Sequence, residues 1–211
     1  MKRLLFISIV SVALAILYFS PVQSPSKLAY PVAFLGVMAL IDYKHISIWM
    51  AYGLVLSALG DWQGTQGNFF RQMALFGLAQ IAYICYFASR IKSRQDNKAG
   101  WMTWLCVLIG LIALIKVVPM VPSGVLRTGV IVYCLLILTM LRMALRQRDI
   151  WFALGATLFV ISDFILAWNK FVSPINYASW CIMVPYYGAQ WLLFFRATCV
   201  ASGACSCTSQ E

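Results

Sequence analysis

The feature that most constrains this chain is a succession of long apolar runs separated by short polar breaks. A helix that crosses a bilayer needs about 20 mainly apolar residues. With 63% hydrophobic and only 10% charged residues, the chain lacks the polar surface of a water-soluble globule. We therefore predict an all-α fold, a polytopic transmembrane bundle of about eight helices. The runs occupy approximately residues 4–20, 28–41, 46–61, 69–90, 100–118, 124–145, 150–169 and 176–198.

Two segments determine the number of predicted helices: the polar break at 42–45 and the apolar N-terminal run. The polar sequence DYKH at 42–45 separates the short second and third runs. If the two runs formed one helix, these polar side chains would lie in lipid, which is unfavourable. The apolar start resembles a signal peptide, but it is long for one and Pro25 would follow the cleavage point, so we retain it as the first helix. We predict a single transmembrane domain over residues 1–200 and a short flexible tail at 201–211.

The basic residues predict the orientation of the bundle. With eight helices and both termini inside, eleven of the 16 Lys and Arg residues fall on the inner side and five on the outer side, as the positive-inside rule requires. The net charge of +10 then reflects orientation and anionic headgroups. The sequence has no basic stripe interleaved with aromatic residues, so no nucleic-acid partner is predicted.

The cysteines and the single histidine do not suggest a metal site. Three cysteines cluster near the C-terminus, there is no C-x-x-C pair, and His45 is the only histidine. Zinc sites need such spacings, so we predict neither a metal nor a cofactor. The other cysteines stand singly in apolar runs, where cysteine acts as a small hydrophobe: Cys85, Cys106, Cys134 and Cys181.

Two of the six acidic residues lie in or against apolar runs. Asp61 ends the stretch LSALGDWQ, and Asp163 lies within FVISDFIL. Asp163 must face the bundle interior, a partner or a water-filled cavity, because a charge facing lipid is strongly unfavourable. Both have structural alternatives, since Asp61 could be a helix-end carboxylate in water and Asp163 a carboxyl group that ties helices together. The predicted topology puts both in the outer half of the bundle.

Two further predicted helices also carry polar side chains within apolar runs. Gln80 and Tyr83 are three residues apart, and Tyr186 and Gln190 are four apart, so each pair lies on one helix face. Each pair alone is typical of side chains that bond helices together in a membrane. Together with two aspartates at a similar depth, they predict a polar pocket.

Four phrases in order resemble the YhhN-like lysoplasmalogenase family over about residues 27–196: LSALGDW, FRQMALFGLAQIAYICYFA, GATLFVISDFILAWNKF and YYGAQWLLF. The resemblance implies hydrolysis of the vinyl ether bond of lysoplasmalogens to a fatty aldehyde and glycerophosphoethanolamine or glycerophosphocholine. It also implies a lysophospholipid substrate and a location in a bacterial inner membrane. This chain has Gln80 where the family usually has His, and Tyr30 before Pro31 where it often has Lys.

The implied reaction suits paired carboxyl groups. Protonation of the outer alkene carbon gives an oxocarbenium ion that water attacks, a logic shared with glycosidases. We expect Asp163, as the deeper residue, to be the general acid and Asp61, nearer water, to be the base, although the reverse is open. Gln80, Tyr83, Tyr186 and Gln190 would orient substrate and water.

Two other functions remain compatible with the sequence. Intramembrane acids also serve transporters, so a small lipid carrier or a proton-coupled solute transporter is one alternative. A catalytically impaired relative that binds lipid is the other, because Gln80 can form hydrogen bonds but cannot relay a proton as histidine does. Headgroup, chain preference and oligomeric state do not follow from the sequence.

Overall fold

The computed structural model describes residues 2–21, 25–91 and 100–203, and the regular structure in these ranges is entirely helical. The predicted all-α fold is therefore confirmed. Two short 3₁₀ helices lie at Pro25–Leu28 and Val118–Met120. The α-helices of the described ranges are α1 Lys2–Tyr18, α2 Tyr30–Ile41, α3 Tyr43–Ile46, α4 Ile48–Thr65, α5 Phe69–Ala88, α6 Gly100–Lys116, α7 Val125–Leu145, α8 Ile150–Phe171 and α9 Ala178–Ala201.

The eight longer helices follow the eight predicted runs in order. The one addition is α3, a single turn formed by the hinge sequence between the second and third runs. Ser47, with φ of 107°, breaks the chain between α3 and α4. α9 ends at Ala201, and residues 204–211 of the predicted tail lie outside the described residues.

Side-chain caps explain where two of the central helices begin. Asn68 accepts a hydrogen bond from the Arg71 amide at 3.2 Å and caps α5. Asp149 accepts from the amide of Trp151 at 3.0 Å and caps α8. Such caps satisfy amides that have no partner within the helix. Asp149 also pairs with Arg196 at 2.5 Å, which fixes the start of α8 beside the last part of α9.

The core forms where two antiparallel helix pairs meet. α4 packs closely on α5, and α8 packs closely on α9, while α2 covers α4 and α7 covers α5. Edge-to-face aromatic contacts join the pairs, with Phe159 of α8 against Phe76 and Tyr83 of α5 and against Tyr186 of α9. Such contacts stabilise beyond the area that they bury, and two of these rings, Phe76 and Tyr186, also line the site described below.

Within the described residues, α7 and α8 are long and apolar enough to cross a membrane by length and composition. Three shorter apolar segments accompany them, at Arg3–Tyr18, Tyr30–Ile41 and Leu108–Met120. Many large apolar side chains also point outwards from the bundle, among them Leu5, Ile16, Val125 and Ile150.

Candidate active site

Asp61 lies inside the bundle rather than at its surface. The side chain is 2% exposed, and its Oδ2 accepts a hydrogen bond from the Tyr186 hydroxyl at 2.9 Å. The expectation of a carboxylate near water at the helix end was wrong, because α4 continues through Asp61 for another turn to Thr65. Tyr186 of α9 then covers the carboxyl group.

Asp163 is the more accessible of the two aspartates. It lies in α8 with part of its surface exposed, and it accepts a hydrogen bond from the hydroxyl of Tyr133 on α7. Asp163 is therefore less covered by protein than Asp61, although Asp61 was expected to be the one nearer water. Each carboxyl group has a phenol donor from a different helix, and a hydrogen bond to a carboxylate is stronger than one between neutral groups.

Both aspartates line one cavity of about 270 Å³, which we call the polar cavity. It lies between α4, α5, α8 and α9 and reaches Ser179, an exposed residue at the start of α9. Other polar side chains in its wall are Tyr18, Gln72, Ser162, Asn169, Ser179 and Tyr186. Two carboxyl groups and two phenols thus line one cavity, where a substrate and a water molecule could meet.

Of the four residues predicted to bind substrate, Tyr186 alone lines the polar cavity. Gln190 lies one turn deeper in α9 and accepts a hydrogen bond from the Tyr83 hydroxyl at 2.6 Å. Tyr83, Gln190 and Gln80 are all fully buried. The sequence spacing correctly put these residues on interior faces, but it did not tell which turn of each helix reaches the cavity.

A buried polar layer, consisting of Ser57, Gln80, Tyr83 and Gln190, is only partly hydrogen-bonded. Within residues 2–21, 25–91 and 100–203, four of its polar atoms have no partner of ordinary geometry: the Ser57 hydroxyl oxygen, the Gln190 amide nitrogen, and the amide nitrogen and oxygen of Gln80. Each such group costs about 1–3 kcal/mol when buried. Buried polar groups are normally paired with protein or water, so this layer has the hydrogen-bonding capacity to hold water.

Tyr133, Gln72 and Ser57 contribute to the site but were not predicted from the sequence. Tyr133 had a usable signal, because it lies mid-way along an apolar run, whereas tyrosines that anchor a membrane helix lie near its ends. Gln72 and Ser57 had none, since single polar residues of this kind are common in membrane helices.

The described side chains include no group of three or more His, Cys, Asp and Glu residues that could hold a metal ion. The site's own groups are two carboxyls, phenols, amides and hydroxyls. These can donate and accept protons and orient water.

The fold and site define a helical-bundle protein with two tyrosine-paired aspartates facing one internal cavity. The chain belongs to the YhhN family, whose profile matches residues 22–197, so the resemblance found in the sequence is confirmed.

Curated relatives carry a shared name. The chain is 31% identical over 159 residues to a Bos taurus protein named lysoplasmalogenase TMEM86A, covering 69% of this chain but 63% of the relative, less than two thirds of its length. It is 29% identical over 209 residues to a Rattus norvegicus protein named lysoplasmalogenase TMEM86B, covering 93% of this chain and 84% of the relative. No solved structure matches the chain.

Proposed function

We propose that this chain is a membrane-embedded hydrolase that cleaves the vinyl ether bond of lysoplasmalogens. The products are a fatty aldehyde and glycerophosphoethanolamine or glycerophosphocholine. The observation that carries the proposal is the pair of aspartates facing one cavity, in a chain whose relatives are named lysoplasmalogenases.

The proposed setting is a bacterial inner membrane, crossed by all eight longer helices with both termini inside. The outward-pointing apolar side chains support this, because a soluble protein rarely exposes large apolar patches. In this orientation the turn between α8 and α9, where the polar cavity ends, faces outwards. A lysolipid headgroup would therefore lie at that end of the cavity.

The reaction begins with proton transfer to carbon. One carboxylic acid protonates the outer alkene carbon, and the ether oxygen stabilises the resulting oxocarbenium ion. Water attacks the cationic carbon while the second carboxylate accepts a proton from that water. The hemiacetal then collapses, its hydroxyl proton passes to the glycerol oxygen, and the carbon–oxygen bond breaks.

We assign the proton donor to Asp163 and the base to Asp61. The alkene carbon that is protonated lies on the chain side of the ether, and Asp163 also lines two small apolar cavities beyond the polar one. Asp61 lines the polar cavity, on the headgroup side. Tyr186 and Tyr133 orient the two carboxyl groups, while Gln80, Tyr83 and Gln190 support the site from the buried polar layer behind the cavity.

The test is aldehyde release from a lysoplasmalogen by the purified chain and by its Asp61→Asn and Asp163→Asn variants. We expect each variant to lose at least about a hundredfold in kcat, because general acid–base catalysis contributes that much or more. The matched control is Asp42→Asn, since Asp42 pairs with the exposed Arg3 far from the cavity and such pairs contribute little. Full activity in either site variant would rule out the paired-aspartate mechanism.

The same assay separates the alternatives. Mass spectrometry of the lysolipid after incubation with the chain in vesicles detects aldehyde if the chain is a hydrolase. Redistribution of intact lipid between leaflets without aldehyde would identify a carrier. Binding with neither outcome would identify a lipid-binding relative in which Gln80 has replaced a proton-transferring residue.

A further inference from the structure

A groove lies beside the site, between α5 and α7 on the outside of the bundle. Its volume is about 490 Å³, greater than that of the polar cavity. Its walls are apolar apart from Thr128 and the Tyr133 hydroxyl, and they come from one face of each helix. We call it the α5–α7 groove, and its apolar lining includes Met73, Ile81, Gly129 and Leu136.

A small cavity lies between this groove and the catalytic pair. Met73 and Tyr133 line the groove and also line a small cavity of about 60 Å³ that contains Asp163. Gln72 and Asp163 line that small cavity and the polar cavity. The three spaces therefore lie next to one another in series, from the apolar groove to the polar cavity, with these side chains in their shared walls.

The side chain of Met73 on α5 separates the groove from the interior, and it packs against Gly129 on α7. A Cβ at Gly129 would lie 2.5 Å from the terminal methyl of Met73, so Met73 lies across the gap that the missing side chain leaves in α7. Methionine is unbranched and changes rotamer readily. The partition that Met73 forms can thus open by a side-chain movement, without displacing either helix.

We propose that the α5–α7 groove binds the hydrocarbon chain of the lysolipid, which passes Met73 and Gly129 and delivers the vinyl ether to Asp163. The inference rests on the proposed function for the identity of the headgroup and the reaction. A lysolipid is the expected occupant because it has one apolar end and one polar end. The groove is apolar and would hold the hydrocarbon chain, and the neighbouring polar cavity would hold the polar end.

The position of the headgroup determines the direction in which the lysolipid's hydrocarbon chain runs along the groove. If the headgroup lies near the α8–α9 turn, the chain runs from Met73 along α5 towards Ile81 and along α7 towards Leu136. Gly129 and Leu136 are separated by about 10 Å of helix, at about 1.5 Å per residue. A long chain therefore reaches Ile81, whereas a short chain ends before it.

A chain-length experiment tests this arrangement. Ile81→Trp fills the far end of the groove and should lower kcat/KM for a hexadecenyl lysoplasmalogen at least about tenfold, because buried methylene groups lose their contacts. Activity on an octenyl substrate should change less than about twofold, which also proves that the variant is folded. The matched control is Ile161→Trp, because Ile161 on α8 is 43% exposed against 42% for Ile81 and does not line the groove. Equal losses on both substrates, or no loss on either, would overturn the inference.

A binding experiment separates this inference from the proposed reaction. A lysophospholipid with a saturated ether bond and a diazirine at the chain end cannot be cleaved, and it should crosslink to α5 and α7 residues of the groove. Excess unlabelled lysolipid should abolish the crosslink. If the protein crosslinks in the groove but releases no aldehyde, the result would support the hydrocarbon-chain site and refute the reaction. Aldehyde release with crosslinks elsewhere, or equal competition by diacyl phospholipid, would overturn the chain site.

Discussion

At the scale of single residues, the site is organised by tyrosines that donate to carboxyl groups. Tyr186 donates to Asp61, and Tyr133 donates to Asp163. Each hydrogen bond fixes one oxygen of the carboxyl group and leaves the other available. A carboxyl group held in this way is pre-oriented for proton transfer, and pre-orientation reduces the reorganisation required in the transition state.

Tyr133→Phe tests this role at one position. The change removes a single hydroxyl and a hydrogen bond to a charged group, which contributes about 1.5–3 kcal/mol. We therefore expect kcat for aldehyde release to fall roughly tenfold to a hundredfold, with KM little changed, because the ring still lines the groove. Tyr52→Phe, at an exposed tyrosine of α4, is the control. An equal effect on KM alone would assign Tyr133 to substrate binding instead of positioning.

At the scale of helices, the site depends on how closely α4 approaches α5. A Cβ at Gly53 of α4 would lie 2.2 Å from the ring of Tyr83. The ring has little freedom to move away, because its hydroxyl is bonded to Gln190 of α9. Gly53 therefore allows the ring of Tyr83 to pack against α4. Through this contact and its hydrogen bond to Gln190, Tyr83 of α5 links α4 and α9 at the buried polar layer.

Gly53→Ala should destabilise this contact. Overpacking a well-packed core costs about 1–3 kcal/mol, which exceeds the gain of up to about 1 kcal/mol from replacing glycine in a helix. We expect a lower thermal unfolding midpoint for the purified chain in detergent. Gly188→Ala of α9 is the control, because a Cβ there would meet Leu158 at an ordinary 3.7 Å, and its midpoint should stay equal or rise. An unchanged midpoint for Gly53→Ala would show that Tyr83 can shift.

At the scale of the whole molecule, the orientation in the membrane decides which leaflet supplies the substrate. With the predicted excess of basic residues on the inner side, the polar cavity would open towards the outer side. Alkaline phosphatase fused after the C-terminus should therefore be inactive in a bacterial host, and a fluorescent protein fused there should be fluorescent. The opposite pair of results would reverse the topology and give the site access to the inner leaflet.

The helices were predictable because their signals are local. Apolar length and polar breaks act within a few residues, so the order and approximate bounds of α1 to α9 followed from the sequence apart from the single turn α3. The candidate acids were predictable for an equally general reason. A carboxyl group in a run as apolar as that around Asp163 is strongly unfavourable facing lipid.

The sequence by itself therefore determined an all-helical chain, the membership of its family and the presence of one inward-facing carboxyl group, that of Asp163. The tertiary structure alone decided that Asp61 is covered by Tyr186, that Tyr133 donates to Asp163, and that Gln80 lies in a buried layer behind the cavity. The physical reason is that a helix in such a bundle is apolar on all sides. Its lipid-facing and interior faces then look alike in sequence, and packing against other helices determines which residues meet.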